Sequence, residues 1–194
     1  EILDQEKYNS RTVVFLNVYD NNGSILKRLI KTKLEKLNQY YVMDRYVVAY
    51  NEYVYFLNEN EFKVYIIPLK ELEVRRVVVL EEPKFYKKMP EDYYKWKKYD
   101  NPNDNFIKDF EKWKTTYSRI NKVIVEDNFL ILQIRTCKKD LEKFALLFYD
   151  IDSFELKKSI LIEDLLLGSK NGRYYFIANG DPSRDEDTED LIIN

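Results

Sequence analysis

The chain has 194 residues, with 32 basic side chains against 34 acidic ones and a formal charge of −2, so no global field recruits nucleic acid or anionic lipid. It contains no histidine and one cysteine, Cys137; this removes the commonest general base and zinc ligand, and excludes an intrachain disulfide, a cysteine-cluster zinc site and an iron–sulfur site. No run nears the ~20 apolar residues that span a bilayer, and an aromatic share of 15%, with 17 tyrosines, suits half-buried pleated surfaces.

Residues 1 to 10 are polar and without period, as in an arm or frayed strand. The chain opens on Glu1 rather than Met, which points to a removed signal segment or a longer precursor. From Arg11 the pattern becomes β: Val13 to Tyr19 run into Asp20-Asn21-Asn22-Gly23, and Ser24 to Ile30 return. Asn-Gly between apolar runs is a strong hairpin signal because both residues tolerate positive φ. Asn22-Gly23-Ser24 also spells the glycosylation sequon, a triplet that tight turns often produce.

Lys31 to Gln39 reads as a charged connector. Strands are then expected over Tyr40–Met43, Tyr46–Tyr50, Tyr53–Leu57, Phe62–Ile67 and Glu73–Leu80, and the spacing leaves open whether Tyr46 to Leu57 is one bulged strand or two. A second block follows from Arg119: Ile120–Val125, Phe129–Arg135, Phe144–Tyr149 and Glu155–Ile162. Each block reads as a four-stranded meander. A shift of 83 lays Val42 to Val48 over Val125 to Ile131, which makes Asp44-Arg45 and Asp127-Asn128 equivalent first turns. The chain ends on a third start, with Asp164–Leu167, a turn over Ser169–Gly172, Arg173–Ala178, a polar loop and Leu191–Ile193.

One hairpin pattern occurs three times. Leu16, Tyr19, Asp20, Leu26, Lys27, Arg28 and Ile30 return without a gap 130 residues on as Leu146, Tyr149, Asp150, Leu156, Lys157, Lys158 and Ile160. Val74, Arg75, Arg76 and Val78 fall on the same pattern at a shift of 48. Between the two later copies lies Lys84 to Tyr117, whose pattern is not β: Pro90 and Pro102 open helical spacing, with Phe106, Phe110, Trp113 and Tyr117 on one face. The expected architecture is therefore all-β, a β-propeller-type array of four-stranded antiparallel blades within one domain over 1–194, carrying a helical, aromatic-rich insertion over 84–117. Closing the incomplete first and last units gives three blades, fewer than a ring's usual four to eight. A longer chain or self-association of two copies would complete it.

Leu147-Phe148-Tyr149-Asp150 with the Leu156-Lys157-Lys158 return strand, the aromatic insertion before Ile120 to Val125, and Gly172-Arg173-Tyr174-Tyr175-Phe176 together resemble the bacterial six-bladed β-propeller proteins related to the NHL and TolB-like propellers. The resemblance implies an exported protein, periplasmic or at the cell surface and often a lipoprotein, and carries over no catalytic residue. For function, the insertion offers aromatic anchors among lysines: Tyr86, Tyr93, Tyr94, Trp96 and Tyr99 are the candidate partner-binding residues, beside Lys87, Lys88, Lys95, Lys97 and Lys98. The crowd of acids from Asp181 to Asp190 matches no EF-hand spacing and reads as a solvated loop. Cys137 beside Lys138 and Lys139 lacks a histidine or second thiol to make it a nucleophile. No cofactor or metal site is expected. The leading expectation is a non-catalytic scaffold or protein-interaction module; a glycan- or small-ligand-binding propeller and a carboxylate hydrolase using Asp44 and Asp127 are the alternatives.

Overall fold

A computed structural model describes residues 12–33, 44–89, 115–137 and 142–177. These residues are all-β, with twelve strands: β1 Thr12–Tyr19, β2 Ile25–Lys33, β3 Arg45–Tyr50, β4 Tyr53–Asn58, β5 Lys63–Pro68, β6 Arg76–Val79, β7 Arg119–Glu126, β8 Phe129–Arg135, β9 Phe144–Asp150, β10 Leu156–Ile162, β11 Leu165–Lys170 and β12 Arg173–Ile177. They form two four-stranded antiparallel meanders, β3-β4-β5-β6 and β7-β8-β9-β10, and two hairpins, β1-β2 and β11-β12. Sequence neighbours are sheet neighbours throughout, as short loops require of antiparallel strands.

Tight turns fix where each strand ends. Asp127 and Asn128 both have positive φ, 49° and 62°, as do Asn171 and Gly172, 55° and 71°; this is the type I′ pattern whose twist matches the flanking strands. Asn51, at φ 52°, begins the corresponding turn between Tyr50 and Tyr53, so Tyr46 to Leu57 is two strands. The partner of the Asp127-Asn128 turn is thus Asn51-Glu52. Arg45 opens β3 instead of making a hairpin, which corrects the equivalence drawn from the 83-residue shift; Tyr40 to Met43 lie outside the described residues.

The closing hairpins of the two meanders agree residue for residue. Leu72 N donates to Pro68 O at 2.9 Å and Phe154 N to Asp150 O at 2.8 Å, and Leu72 and Phe154 share positive φ, 50° and 60°. Ile66 pairs with Arg76 as Phe148 pairs with Lys158, each shifted by 82. The β1-β2 hairpin runs one residue out. Val18 pairs with Lys27, whereas Phe148 pairs with Lys158 and not Lys157. The cause is a shorter loop: Asp20 N reaches Ser24 O, while Asp150 N reaches Glu155 O, and Gly23 at φ 82° permits the tighter course.

The two meanders and the β11-β12 hairpin stack in chain order. One core joins Tyr55, Leu57, Val64 and Ile66 of the first meander to Ile120, Val123, Leu130, Leu132, Ile134, Leu147 and Tyr149 of the second. The opposite face of the second meander buries Ile131, Leu146 and Phe148 against Leu166 of β11, with Tyr174 and Phe176 alongside. This sheet is apolar on both faces, so β8 and β9 read as near-continuous apolar runs rather than as alternation. The polar exception is satisfied: fully buried Gln133 donates from Nε2 to Asp164 O at 3.0 Å and accepts Leu166 N at Oε1, 3.2 Å. Between sheets, the first strands lie closest, β3 against β7 and β7 against β11. Tyr46 Oη donates to Ile120 O at 2.9 Å, and Tyr50 Oη to Asn128 Oδ1 at 3.0 Å. The fourth strands face outward, with Val79 of β6 71% exposed and Leu161 of β10 42%. Lys27 of β2 is ion-paired with Glu73 at 2.7 Å, which fastens the β1-β2 hairpin to the β5-β6 turn.

Of the expected insertion, Lys84 to Met89 and Thr115 to Tyr117 are described and contain no helix, because Lys87 and Ser118 instead exchange backbone and side-chain hydrogen bonds that bring the two ends of this connection together. Residues 90–114 lie outside the described residues.

Leu132 is fully buried in the core between the two meanders. Leu132→Ala is expected to destabilise the protein by about 3 kcal/mol through lost transfer energy plus a cavity, read as a lowered urea midpoint with the slope unchanged.

Candidate functional site

The described surface has an open pocket of about 380 Å³ between the two meanders, lined by Tyr53, Tyr55, Ile66, Arg75, Arg76, Ile151, Asp152 and Phe154. Three adjacent strands supply one wall, since Tyr55 of β4 pairs with Ile66 of β5, and Ile66 with Arg76 of β6; Tyr53 lies two residues from Tyr55 and so on the same face. The β9-β10 turn supplies the other wall. Asp150 Oδ1 accepts the backbone N–H groups of Asp152 at 3.1 Å and Ser153 at 2.8 Å. These bonds, the Ser153 backbone bond foremost, hold the Asp150 carboxyl below the usual range and lock the turn that carries Phe154.

The pocket has an apolar floor and a charged rim. Tyr55, Ile66, Ile151 and Phe154 are each more than nine-tenths buried, while Arg75, Arg76 and Asp152 are exposed and Tyr53 is half-buried. The Arg76 guanidinium lies over the Phe154 ring, 5.6 Å from its centroid. Among the described residues it makes no hydrogen bond or ion pair. Arg75 has only a 4.0 Å pairing with Glu71. The Tyr53 and Tyr55 rings meet at 6.4 Å, and burial pushes the Tyr55 hydroxyl up from its ordinary value, helped by Tyr53 and Asp152. The sequence held one signal for this site: the basic doublet of the recurring hairpin, here Arg75-Arg76, falls where two sheets meet.

Of the candidate partner-binding residues, Tyr86 is the one that lies among the described residues. It packs edge-to-face on Phe62 at 4.7 Å against the main core, and its hydroxyl is buried without a partner; this ring anchors the connection to β7. Tyr93, Tyr94, Trp96 and Tyr99 lie outside the described residues, as does the acidic loop from Asp181 to Asp190. Among the described residues no three potential metal-ligating side chains come together, and no helix is long and apolar enough to cross a membrane. Cys137 is half-buried, 3.5 Å from Ser118 Oγ.

Asp44 and Asp127 stand at opposite ends of the stacked sheets, so they form no carboxylate pair. Asp127 is in the β7-β8 turn, 3.1 Å from where a Cβ on Gly172 would sit. Asp44 precedes β3 and exchanges hydrogen bonds with Glu59, its N–H donating to Glu59 Oε2 at 3.2 Å. Glu59 is itself buried, with Oε1 3.7 Å from Arg119 Nε. That buried pair fastens the β4-β5 loop to the start of β7, and together with burial Glu59 raises the Tyr46 hydroxyl far above its ordinary value.

No protein-family model, curated protein or solved structure matches the chain.

Glu59→Gln leaves Arg119 charged in a poorly hydrated site, and a loss of about 3 kcal/mol is expected in chemical unfolding. At the other end, Glu126 accepts Gly172 N and Ser169 Oγ, both at 3.0 Å; these bonds, Gly172's first, hold its carboxyl below its usual 4.5. A depressed folded value stabilises above the unfolded one and stops doing so as pH falls through the folded one. Thermal melts from pH 7 downward should therefore show Glu126→Gln with a shallower loss of stability below about pH 4.5 than the wild type.

Proposed function

We propose that this chain is an arc of a β-propeller-type ring that works as a non-catalytic scaffold, holding a protein partner. One observation carries the reading: the two meanders and the β11-β12 hairpin stack in chain order with their first strands adjacent, and the central strands of the second meander are buried on both faces. A two-sheet sandwich buries one face of each sheet, whereas radially repeated blades bury both. The units at either end, β1-β2 and β11-β12, are two-stranded, and among the described residues β1 pairs only with β2 and β12 only with β11. Joined edge to edge, such halves make one four-stranded blade, so self-association or a strand-donating protein is the natural partner. The resemblance to exported propeller proteins supports a periplasmic or cell-surface setting. The pocket at Arg76 favours a second reading, in which the same scaffold holds a small ligand with an apolar part.

Sedimentation across a concentration series tests the first reading. Self-association, or a stable complex with a second protein, is expected, and Tyr175→Lys, which puts a charge on β12, paired among the described residues only with β11, should weaken it at least tenfold without lowering the melting temperature. A monomer at every concentration that captures nothing would contradict it.

A further inference from the structure

The pocket between the meanders combines features that select a ligand chemistry. Its floor of Tyr55, Ile66, Ile151 and Phe154 is buried and apolar, so a polar or heavily hydroxylated group entering it would lose water without compensation. Its rim carries two arginines on one wall and Asp152 on the other. Arg76 is held over Phe154, a contact with the ring that leaves its N–H donors without hydrogen-bond partners among the described residues. A guanidinium offers a planar fork that fits a carboxylate in two parallel hydrogen bonds. A volume of about 380 Å³ lies near the small end of ligand pockets, roughly 300–1,000 Å³, and suits one side chain with its adjoining backbone. Asp152 repels a second negative charge and offers acceptors to a peptide N–H.

We propose that this pocket takes a peptide segment presenting one carboxylate beside an apolar or aromatic side chain, the side chain entering against Tyr55, Ile66, Ile151 and Phe154 and the carboxylate meeting Arg76. The proposal rests on the partner-holding reading and names the chemistry of the partner. Such a segment is a C-terminal apolar residue, or an acidic residue next to an aromatic one.

Two probes that differ only in the carboxylate test it: N-acetyl-phenylalanine and N-acetyl-phenylalaninamide, titrated into isotope-labelled protein. The acid is expected to shift the amide resonances of 53–55, 66, 75–76 and 151–154 and to bind about tenfold tighter than the amide, as a charge-assisted pair contributes, with the preference shrinking as salt is added. Arg76→Gln, an exposed change, removes the preference and leaves the weak binding of the amide. Asp152→Asn tightens the acid about two- to fivefold by removing a like charge. Equal binding of the two probes, or a preference that survives Arg76→Gln, overturns the carboxylate assignment. No shift with either probe overturns the pocket as a ligand site, and shifts produced by glucuronate but not by the acid probe hand it to acidic glycans. Association by sedimentation is measured separately, so the ring reading stands or falls on different data.

Discussion

The structure depends on a sheet whose central strands, β8 and β9, have no solvent face. The β7-β8-β9-β10 meander packs one side on the β3-β6 meander and the other on the β11-β12 hairpin, and β8 and β9 are the strands that feel it most. Leu130, Leu132 and Ile134 point one way and Ile131 the other, all fully buried. At ~25 cal/mol per Å² of apolar surface, each such side chain contributes roughly 2 kcal/mol toward folding, and no outward position is left to relax. Gln133 shows how strict the constraint is. A buried amide in the middle of the run is admitted because both its oxygen and its nitrogen meet the backbone of the next unit.

Given that double burial, the remaining contacts read as fasteners at the two ends of the stack. At the turn end, Tyr50 reaches Asn128, Glu126 receives Ser169 and Gly172, and Lys27 meets Glu73. At the loop end, the Glu59–Arg119 pair and the Tyr46 hydroxyl join the first meander to β7. The Glu59–Arg119 pair is far less exposed than the Lys27–Glu73 pair, so apolar packing and the loop end carry most of the cohesion, while the turn-end ion pair contributes little. The pocket opens beside the β9-β10 turn because that turn projects Phe154 in a left-handed conformation against a wall of Tyr53, Tyr55 and Arg76. A residue of this kind at positive φ is strained, and the surrounding Asp150 bonds hold it there.

Much of the strand inventory was legible from residue pattern. Asn22-Gly23 and Asn171-Gly172 announce hairpins through their tolerance of positive φ, and the Asp150 to Leu156 closing hairpin matched that of Pro68 to Val74 in register even though Pro68 replaces the Asp. Turns that rest on other residues were harder to see. Asn51-Glu52 makes a hairpin without glycine, so by residue type Asp44-Arg45 resembles Asp127-Asn128 more closely although it lies seven residues from the true equivalent. The β1-β2 hairpin repeats the sequence of β9-β10 without a gap yet pairs one residue out, because loop hydrogen bonds, not side-chain identity, set register.

The candidate site divides in the same way. The basic doublet of the recurring hairpin could be read off the chain, but at Lys27-Arg28, Arg75-Arg76 and Lys157-Lys158 the same letters meet different surroundings: Lys27 an ion pair, Arg76 the ring of Phe154 and Lys158 that of Phe148. The sequence alone determined that this is a β-rich chain of successive antiparallel hairpins without histidine, because those properties depend on residue type and on spacing within a few positions. Only the tertiary structure decided which faces meet, that the Tyr86 ring packs on Phe62, and that residues from 53 to 76 and from 151 to 154 enclose one pocket, because side chains so far apart along the chain are brought together by sheet-on-sheet packing that local pattern does not encode.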